Sequence, residues 1–128
     1  MKILNRKLSS KAQLFIDNHI RYLDRDIEYG TLPDCSEFYG SLSCSDSSFY
    51  INIRESVPDT AFEAILCHEM YHAYQMSCDF PFLEPTEKVR GNDTMNKYFL
   101  NLQSSILDLS ADDTVKAYGL DASYVMDF

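Results

Sequence analysis

Two histidines four residues apart, with a glutamate directly after the first, form the clearest chemical pattern of this sequence. The segment is His68-Glu69-Met70-Tyr71-His72. In a helix, residues four apart are rotated by only about 40°, so both imidazoles project from nearly the same direction and can bind one metal ion. Glu69 lies on the adjoining part of that face, where its carboxylate can accept a proton from water. We therefore predict a catalytic zinc (Zn2+) site with His68 and His72 as ligands and Glu69 as general base.

A catalytic zinc ion usually has a third protein ligand. No histidine follows His72, so a carboxylate is the natural candidate. Asp108 and Asp112 lie one helical turn apart in an otherwise apolar segment, where an acidic side chain needs a partner. We predict that Asp108 is the third ligand and that Asp112 accepts the free N–H of a ligand imidazole, which fixes the tautomer of that ring. The opposite assignment, with Asp112 as the ligand, stays open.

Other polar side chains are weaker candidates for the site. For His19 we expect a structural or surface role, because no second ligand lies one turn away from it. Asp113 is expected to be solvated on the outer face of its helix. Glu84 and Glu87 lie in a proline-containing loop and are expected at the surface. A phenol could donate a hydrogen bond to an oxyanion, and the candidates for that role are Tyr98, Tyr118 and Tyr124.

The motif is predicted to lie on a buried helix that covers about residues 61–77. The run from Thr60 to Glu63 fits a capping box, which marks the start of a helix. Residues 65–67 and 73–74, which flank the motif, carry no charge. That composition is typical of a helix buried on every side except the one that faces the metal.

The segment before the motif helix predicts one more helix and two strands. A three-to-four spacing of apolar residues indicates a helix that is capped by Ser9 or Ser10 and runs as far as Gly30. Aromatic and β-branched runs at residues 36–42 and 48–53 predict two strands of a hairpin or meander.

A long helix is predicted after the motif, with Asp93 or Thr94 as N-cap and Gly119 at its end. Its apolar positions are Met95, Phe99, Leu102, Ile106 and Leu109. The predicted fold class is α+β, with a small antiparallel sheet packed against the motif helix and the second long helix. Residues 1–128 would form a single domain, since 45% of them are hydrophobic and supply enough core material for a chain of this size.

The charge of the chain argues against some partners. Eleven Lys and Arg face twenty Asp and Glu, a formal charge of −9, so we expect no direct binding of nucleic acid. We see no secretory signal and no membrane-spanning segment, and we expect a cytoplasmic protein. The four cysteines are then expected to be free thiols, although Cys35 and Cys44 could bridge neighbouring strands in an exported protein.

The motif and the later Asp108-Leu109-Ser110-Ala111-Asp112 resemble the gluzincin pattern of metallopeptidases, H-E-x-x-H followed by E-x-x-A-D. The two motifs cover about ten residues. The departure from the pattern is Asp108, which stands where these enzymes generally have glutamate. An aspartate is shorter by one methylene, so the second helix must approach the metal more closely or recruit Asp112.

The wider order of elements over residues 36–120 resembles the small ImmA/IrrE-type metallopeptidases. That resemblance implies a zincin-like minimal domain, in which the strand before the motif helix can pair with an extended peptide. Tyr50, Ile51 and Asn52 would then contact the substrate. Residues 67–74 are also similar to SprT-type metalloproteases, whose third ligand is a histidine that this chain lacks after His72.

These observations predict a zinc-dependent hydrolase, a peptidase that acts on a protein or peptide substrate through water activated by the metal. One alternative is a non-catalytic zinc-binding module whose acidic surface binds a basic partner. Another is a narrowly specific protease that cuts one regulatory protein, such as a repressor. The simplest alternative is a pair of histidines on a helix face that binds no metal.

Overall fold

The structure is a computed structural model that describes residues 2–78 and 87–121 of the chain. Its fold class is α+β, as predicted. The elements are β1 (Lys2–Ile3), β2 (Arg6–Lys7), α1 (Ser10–Ile20), β3 (Asp26–Leu32), β4 (Gly40–Cys44), β5 (Ser48–Arg54), α2 (Asp59–Ser77), α3 (Glu87–Arg90) and α4 (Asp93–Ala117). In these two ranges, no helix is long and apolar enough to cross a membrane.

The main sheet contains β3, β5 and β4, with β5 in the centre. β4 pairs with β5 in the antiparallel direction, whereas β3 pairs with it in parallel. The sheet is therefore mixed, which corrects the expectation of an antiparallel sheet. Alternate residues of β5, namely Phe49, Ile51 and Ile53, are buried, and this period of two gives the strand one face toward the core.

The sheet is mixed because it includes β3, whose first residues the sequence pattern assigns to the end of α1. Ser9 is the N-cap, and its hydroxyl accepts a hydrogen bond from the N–H of Ala12. The helix ends at Ile20 instead of Tyr29, and the chain continues as β3. Ile27 fits the helical stripe but also, together with Tyr29, a spacing of two, and both residues pack against the core from β3. Pairing with β5 favours the strand because it satisfies the backbone groups along one side of each strand.

Helix α2 packs against β4, β5 and α1 and forms the centre of the core. Its sides are buried as the flanks of the motif predict, through Ala61, Phe62, Ala64, Ile65, Leu66, Cys67, Met70 and Ala73. The predicted capping box is wrong: the N-cap is Pro58, and no side chain caps the helix. Glu63 instead accepts hydrogen bonds of 3.0 Å from the N–H and the hydroxyl of Ser9, which ties α1 to α2.

Helix α4 packs against α2 near its C-terminal end. Its buried residues are Ala111, Asp112 and Val115. The predicted apolar positions lie elsewhere on the helix, and most of them are exposed: Met95 45%, Leu102 59%, Ile106 45% and Leu109 61%. The apolar spacing correctly predicts a helix here, but in the described structure that stripe does not form its buried face.

The ends of α4 follow from local hydrogen bonds. The N-cap is Asn92, whose side chain accepts a hydrogen bond of 3.1 Å from the N–H of Met95, so neither predicted N-cap residue has that role. Gly119 ends the helix as predicted. Its φ of +80° is a backbone conformation that glycine adopts without strain.

The four cysteines are free thiols, as predicted. Cys35 and Cys44 are exposed and unpaired, so the structure does not contain the bridge that was considered as an alternative. Cys67 is buried in α2, and burial raises the pKa of its thiol.

The sheet and α2 pack closely at Gly40, the first residue of β4. A Cβ atom at this position would lie 2.3 Å from Cγ2 of Ile65 on α2. Real Cβ atoms do not approach another atom so closely, so the absence of a side chain allows β4 to lie against the motif helix.

We expect the change Gly40→Ala to destabilise the fold by about 1–3 kcal/mol, as overpacking does in a filled core. Ile65 is β-branched and cannot move its methyl group without leaving its preferred rotamer. Urea unfolding measures the effect. Gly91→Ala is the matched control, because its new methyl group would meet the carbonyl of Glu87 at 3.4 Å, an ordinary contact. Equal losses of stability in the two variants would contradict the close packing.

Candidate metal centre

His68 and His72 lie one turn apart on α2 and meet Asp108 of α4. The two Nε2 atoms are 3.0 Å apart. Oδ1 of Asp108 lies 2.9 Å from Nε2 of His72 and 3.6 Å from Nε2 of His68. Three possible ligand atoms from two helices therefore converge on one point, and they could hold a metal ion.

The other nitrogen of each imidazole faces a hydrogen-bond acceptor. Nδ1 of His68 lies 2.9 Å from Oδ1 of Asp112, and Nδ1 of His72 lies 2.8 Å from Oε1 of Gln75. Gln75 is oriented by its other amide atom, Nε2, which donates to the carbonyl of Leu107 at 3.2 Å. In a neutral ring each Nδ1 therefore carries the proton, and each Nε2 presents its lone pair.

This arrangement of lone pairs favours a cation. Two nitrogen lone pairs and a carboxylate oxygen repel one another unless a proton or metal ion lies between them. A tetrahedral zinc ion with bonds of about 2.0–2.1 Å has about 3.3–3.4 Å between its ligand atoms. The three separations here are 2.9, 3.0 and 3.6 Å. Two imidazoles and a carboxylate are also a usual donor set for catalytic zinc, so these residues fit the ion.

Asp108 reaches the histidines because α4 lies close to α2. Gln75 donates to the carbonyl of Leu107, the residue before Asp108. The hydroxyls of Tyr71 and Ser110 are 3.5 Å apart, close enough for a weak hydrogen bond between the helices. With the bond between His68 and Asp112, these contacts lie on both sides of Asp108. The structure thus has α4 approaching closely enough for the shorter side chain.

Glu69 lies beside the three possible ligands in an open cavity of about 320 Å³. The cavity is lined by Phe38, Gly40, His68, Glu69, His72 and Asp108. Burial raises the pKa of Glu69, and the nearby charges of His68 and His72 only partly oppose that effect. The carboxylate can therefore accept a proton from a water molecule that enters the cavity.

The charges of the centre shift the pKa values of its members. Hydrogen bonds from His68 and His72 hold the pKa of Asp108 well below its usual range. Burial would lower the pKa of His72, but the hydrogen bonds to Asp108 and Gln75 and the neighbouring negative charges outweigh burial and raise it. Burial also raises the pKa of Asp112, although the charge and hydrogen bond of His68 act in the opposite direction.

The remaining candidates lie away from the cavity. The ring of His19 is buried and stacks on Phe15 with 4.3 Å between centroids, which confirms a structural role. Asp113 and Glu87 are exposed, as predicted. Tyr98 is 78% exposed.

The other tyrosine candidates do not complete the centre either. Tyr118 does not line the cavity, and its hydroxyl accepts a hydrogen bond of 3.1 Å from Asn18. Glu84 and Tyr124, for which the sequence made predictions, lie outside the described residues.

The predicted substrate strand is corrected by the sheet order. β5 contains Tyr50, Ile51 and Asn52, and its two edges are already paired with β3 and β4. Ile51 is also fully buried in the core. The backbone of β5 is therefore not free to pair with a peptide. The strand that borders the cavity is β4, whose Gly40 is part of the lining.

Sequence reasoning missed Gln75 and the cavity residues Phe38 and Gly40. The signal for Gln75 is a single polar side chain three residues after His72, where a helix brings two side chains together. No local signal identifies Phe38 or Gly40: the pairing of β4 with β5 brings Gly40 to the cavity, and Phe38 lies two residues before that strand begins.

Comparisons of this chain with models of protein families, with curated proteins and with solved structures found no match. The resemblance to gluzincins stays a prediction that rests on the motifs.

We expect Asp108→Ala to lower zinc affinity by at least about 100-fold, because it removes a ligand. Asp112→Asn should lower it by about 10–100-fold, because an amide is a weaker acceptor for the N–H of His68. Competition with a chromophoric chelator measures both. Asp113→Asn is the matched control, one residue further on an exposed part of the same helix, and should bind like wild type. Equal affinity in Asp108→Ala and wild type would exclude Asp108 as a ligand.

Without metal, the pairing of His72 with Asp108 should make stability depend on pH. Because the pKa of His72 is raised in the folded state, this residue stabilises the fold fully below its unfolded-state pKa of about 6.5. That stabilisation is lost as the pH rises through its folded-state pKa. The lowered pKa of Asp108 gives stability that is present above about pH 3.9 and is lost in stronger acid. In the chelated protein, Asp108→Ala should therefore lower the urea midpoint more at about pH 5.5 than at about pH 8.5. An equal loss at both pH values would contradict the pairing.

Proposed function

We propose that this chain is a zinc-dependent hydrolase that cleaves peptide bonds, with Zn2+ held by His68, His72 and Asp108. The supporting observation is the convergence of two imidazole nitrogens and one carboxylate oxygen beside Glu69 in an open cavity. Three protein ligands leave one position of a tetrahedral ion open, which distinguishes catalytic zinc sites from structural ones.

The residues around the ion have separate tasks in this proposal. When bound, zinc would polarise a carbonyl group and lower the pKa of a water molecule. Glu69 takes the proton of the attacking water and later delivers it to the leaving amine. Asp112 and Gln75 accept the Nδ1–H groups of the two imidazoles, so both Nε2 atoms stay directed at the same point.

The substrate in this proposal is an extended peptide that pairs with β4. β4 is an edge strand of the main sheet: one of its sides pairs with β5, and the opposite side is the edge to which a peptide could be added. Gly40 brings its backbone against α2 at the level of Glu69, since a Cβ atom there would lie 3.6 Å from Cγ of that residue. A peptide added to this edge would carry its backbone past the metal centre. Phe38, which is 58% exposed, gives the cavity an apolar wall beside the cleaved bond.

The proposal also includes a family for this chain. A motif helix packed on a small sheet, followed by a helix that supplies an acidic ligand, is the arrangement implied by the resemblance to gluzincins and to ImmA/IrrE-type metallopeptidases. We propose a zincin-like domain on this basis. Cleavage of a single regulatory protein is compatible with the same centre, so the test has to sample many peptide sequences.

We expect the zinc-loaded wild type to hydrolyse members of a diverse peptide library, with products read by mass spectrometry. Glu69→Gln should reduce the rate by about 10²–10⁴-fold, because an amide cannot accept the proton. Its zinc affinity should stay within a few-fold of wild type, because no ligand changes. Glu28→Gln is the matched control, on an exposed position of β3, and should be as active as wild type.

Two outcomes would count against the proposal. Full activity of Glu69→Gln would show that another group is the base. A wild type that binds zinc and cleaves no library peptide would contradict general peptidase activity. Unfolding of that protein on chelation would then favour the non-catalytic zinc-binding module, since metal binding would serve the fold.

A further inference from the structure

We propose that Gln75 is a positioning residue of the metal centre, which orients His72 and also sets the distance at which α4 presents Asp108. This inference rests on the proposed zinc site but not on hydrolysis. Gln75 lies three residues after His72, and its two amide atoms contact two different parts of the centre, His72 and the backbone of α4.

The amide of Gln75 is buried and is hydrogen-bonded at both of its polar atoms. Gln75 is 1% exposed, which is rare for a glutamine. Both polar atoms of this buried side chain have partners: Oε1 faces Nδ1 of His72 at 2.8 Å, and Nε2 donates to the carbonyl of Leu107 at 3.2 Å. Because a carbonyl can only accept, Nε2 must face Leu107 and Oε1 must face His72. The orientation of the amide is therefore fixed by α4, and the proton of His72 is fixed by the amide.

The hydrogen bond from Gln75 meets α4 directly beside Asp108. Leu107 directly precedes Asp108, so the hydrogen bond holds the backbone from which the third ligand extends. Aspartate reaches about 1.5 Å less far than glutamate, the length of one bond along the chain. Oδ1 of Asp108 nevertheless comes within 2.9 Å of Nε2 of His72. A direct bond between the two helices at the neighbouring residue provides the close approach that the short ligand requires.

The other hydrogen bonds of this part of α4 to α2, from Ser110 and Asp112, lie on the C-terminal side of Asp108. Asp108 has a half-exposed side chain, and Leu109 is 61% exposed. The hydroxyls of Tyr71 and Ser110 are 3.5 Å apart, at the outer limit of a hydrogen bond. Burial resumes at Ala111. The amide of Gln75 is therefore a well-formed contact on the N-terminal side of Asp108.

Three chemical roles of the side chain can be separated by substitution. Gln75→Met keeps the length and the apolar packing but removes both hydrogen bonds. Gln75→Glu keeps an acceptor for the N–H of His72 but loses the donor to Leu107. Gln13→Met is the matched control: Gln13 is a partly buried glutamine on α1 with a 2.8 Å hydrogen bond to Asp17, away from the centre.

The experiment measures zinc affinity by chelator competition and the visible spectrum of the cobalt-substituted protein, which reports ligand geometry. We expect Gln75→Met to lower zinc affinity by about 10–100-fold and to alter the cobalt bands. Gln75→Glu should fall between Gln75→Met and wild type, because it keeps one of the two interactions. Gln13→Met should match wild type. Urea unfolding of the chelated variants shows whether each still folds, and Gln75→Glu remains informative where Gln75→Met does not fold.

A double-mutant cycle with Asp108→Glu tests the distance that Gln75 sets. In the wild-type background the longer ligand should be crowded and should lower zinc affinity by about tenfold or more. In the Gln75→Glu background α4 is released from the amide donor, so the same change should cost at least several-fold less affinity. Strictly additive losses would overturn the role in spacing, and unchanged affinity and cobalt spectrum in Gln75→Met would overturn the role in orientation. A wild type that binds no zinc would instead refute the proposed zinc site itself.

Discussion

The convergence of three electron-pair donors on one point, where they repel one another unless a proton or metal ion lies between them, is the constraint on which the candidate centre depends. His68 and His72 turn their Nε2 atoms toward each other because Asp112 and Gln75 accept the protons on the other side of the rings. Asp108 adds a negative charge to the same point. A surface helix could not hold such an arrangement, because water and side-chain motion would relieve it. The burial of α2 on the sheet and the contacts of α4 keep the donors together, so that either a proton, as in the pairing of His72 with Asp108, or a metal ion has to lie between them.

The sequence predicts the local parts of this centre well, because a helix has a fixed period. Residues four apart lie on nearly the same side of a helix, so His68 and His72 come together. The same spacing puts Asp108 and Asp112 on one side of α4. The uncharged flanks of the motif likewise predict that α2 is buried, and Ile65, Cys67 and Ala73 are buried. The sequence favours Asp108 beside the two Nε2 atoms and Asp112 at an Nδ1–H, and the structure has this arrangement. The sequence leaves the opposite assignment open, because the choice depends on the rotation and distance of α4 relative to α2.

The parts that the sequence does not predict are those decided by partners far along the chain. Ile27 fits both a helical stripe and a strand with a period of two, and the pairing of β3 with β5 favours the strand. Glu63 has the position of a capping residue, yet it bonds to Ser9, 54 residues away. Both cases show a local pattern with two physical solutions, of which tertiary contacts select one. The same reason hides the role of Gln75, whose second partner lies on another helix.

Helix α4 joins two stretches that tolerate change very differently. Between Leu107 and Val115 several residues are buried or hydrogen-bonded to α2, so substitutions at those residues would disturb the contacts between the two helices. In the preceding turns of α4, none of the residues whose burial is described is fully buried. Substitutions on such a surface generally change stability by less than about 0.5 kcal/mol. Related sequences would thus be expected to diverge quickly over the first turns of this helix and slowly over the last ones, although both belong to one continuous element.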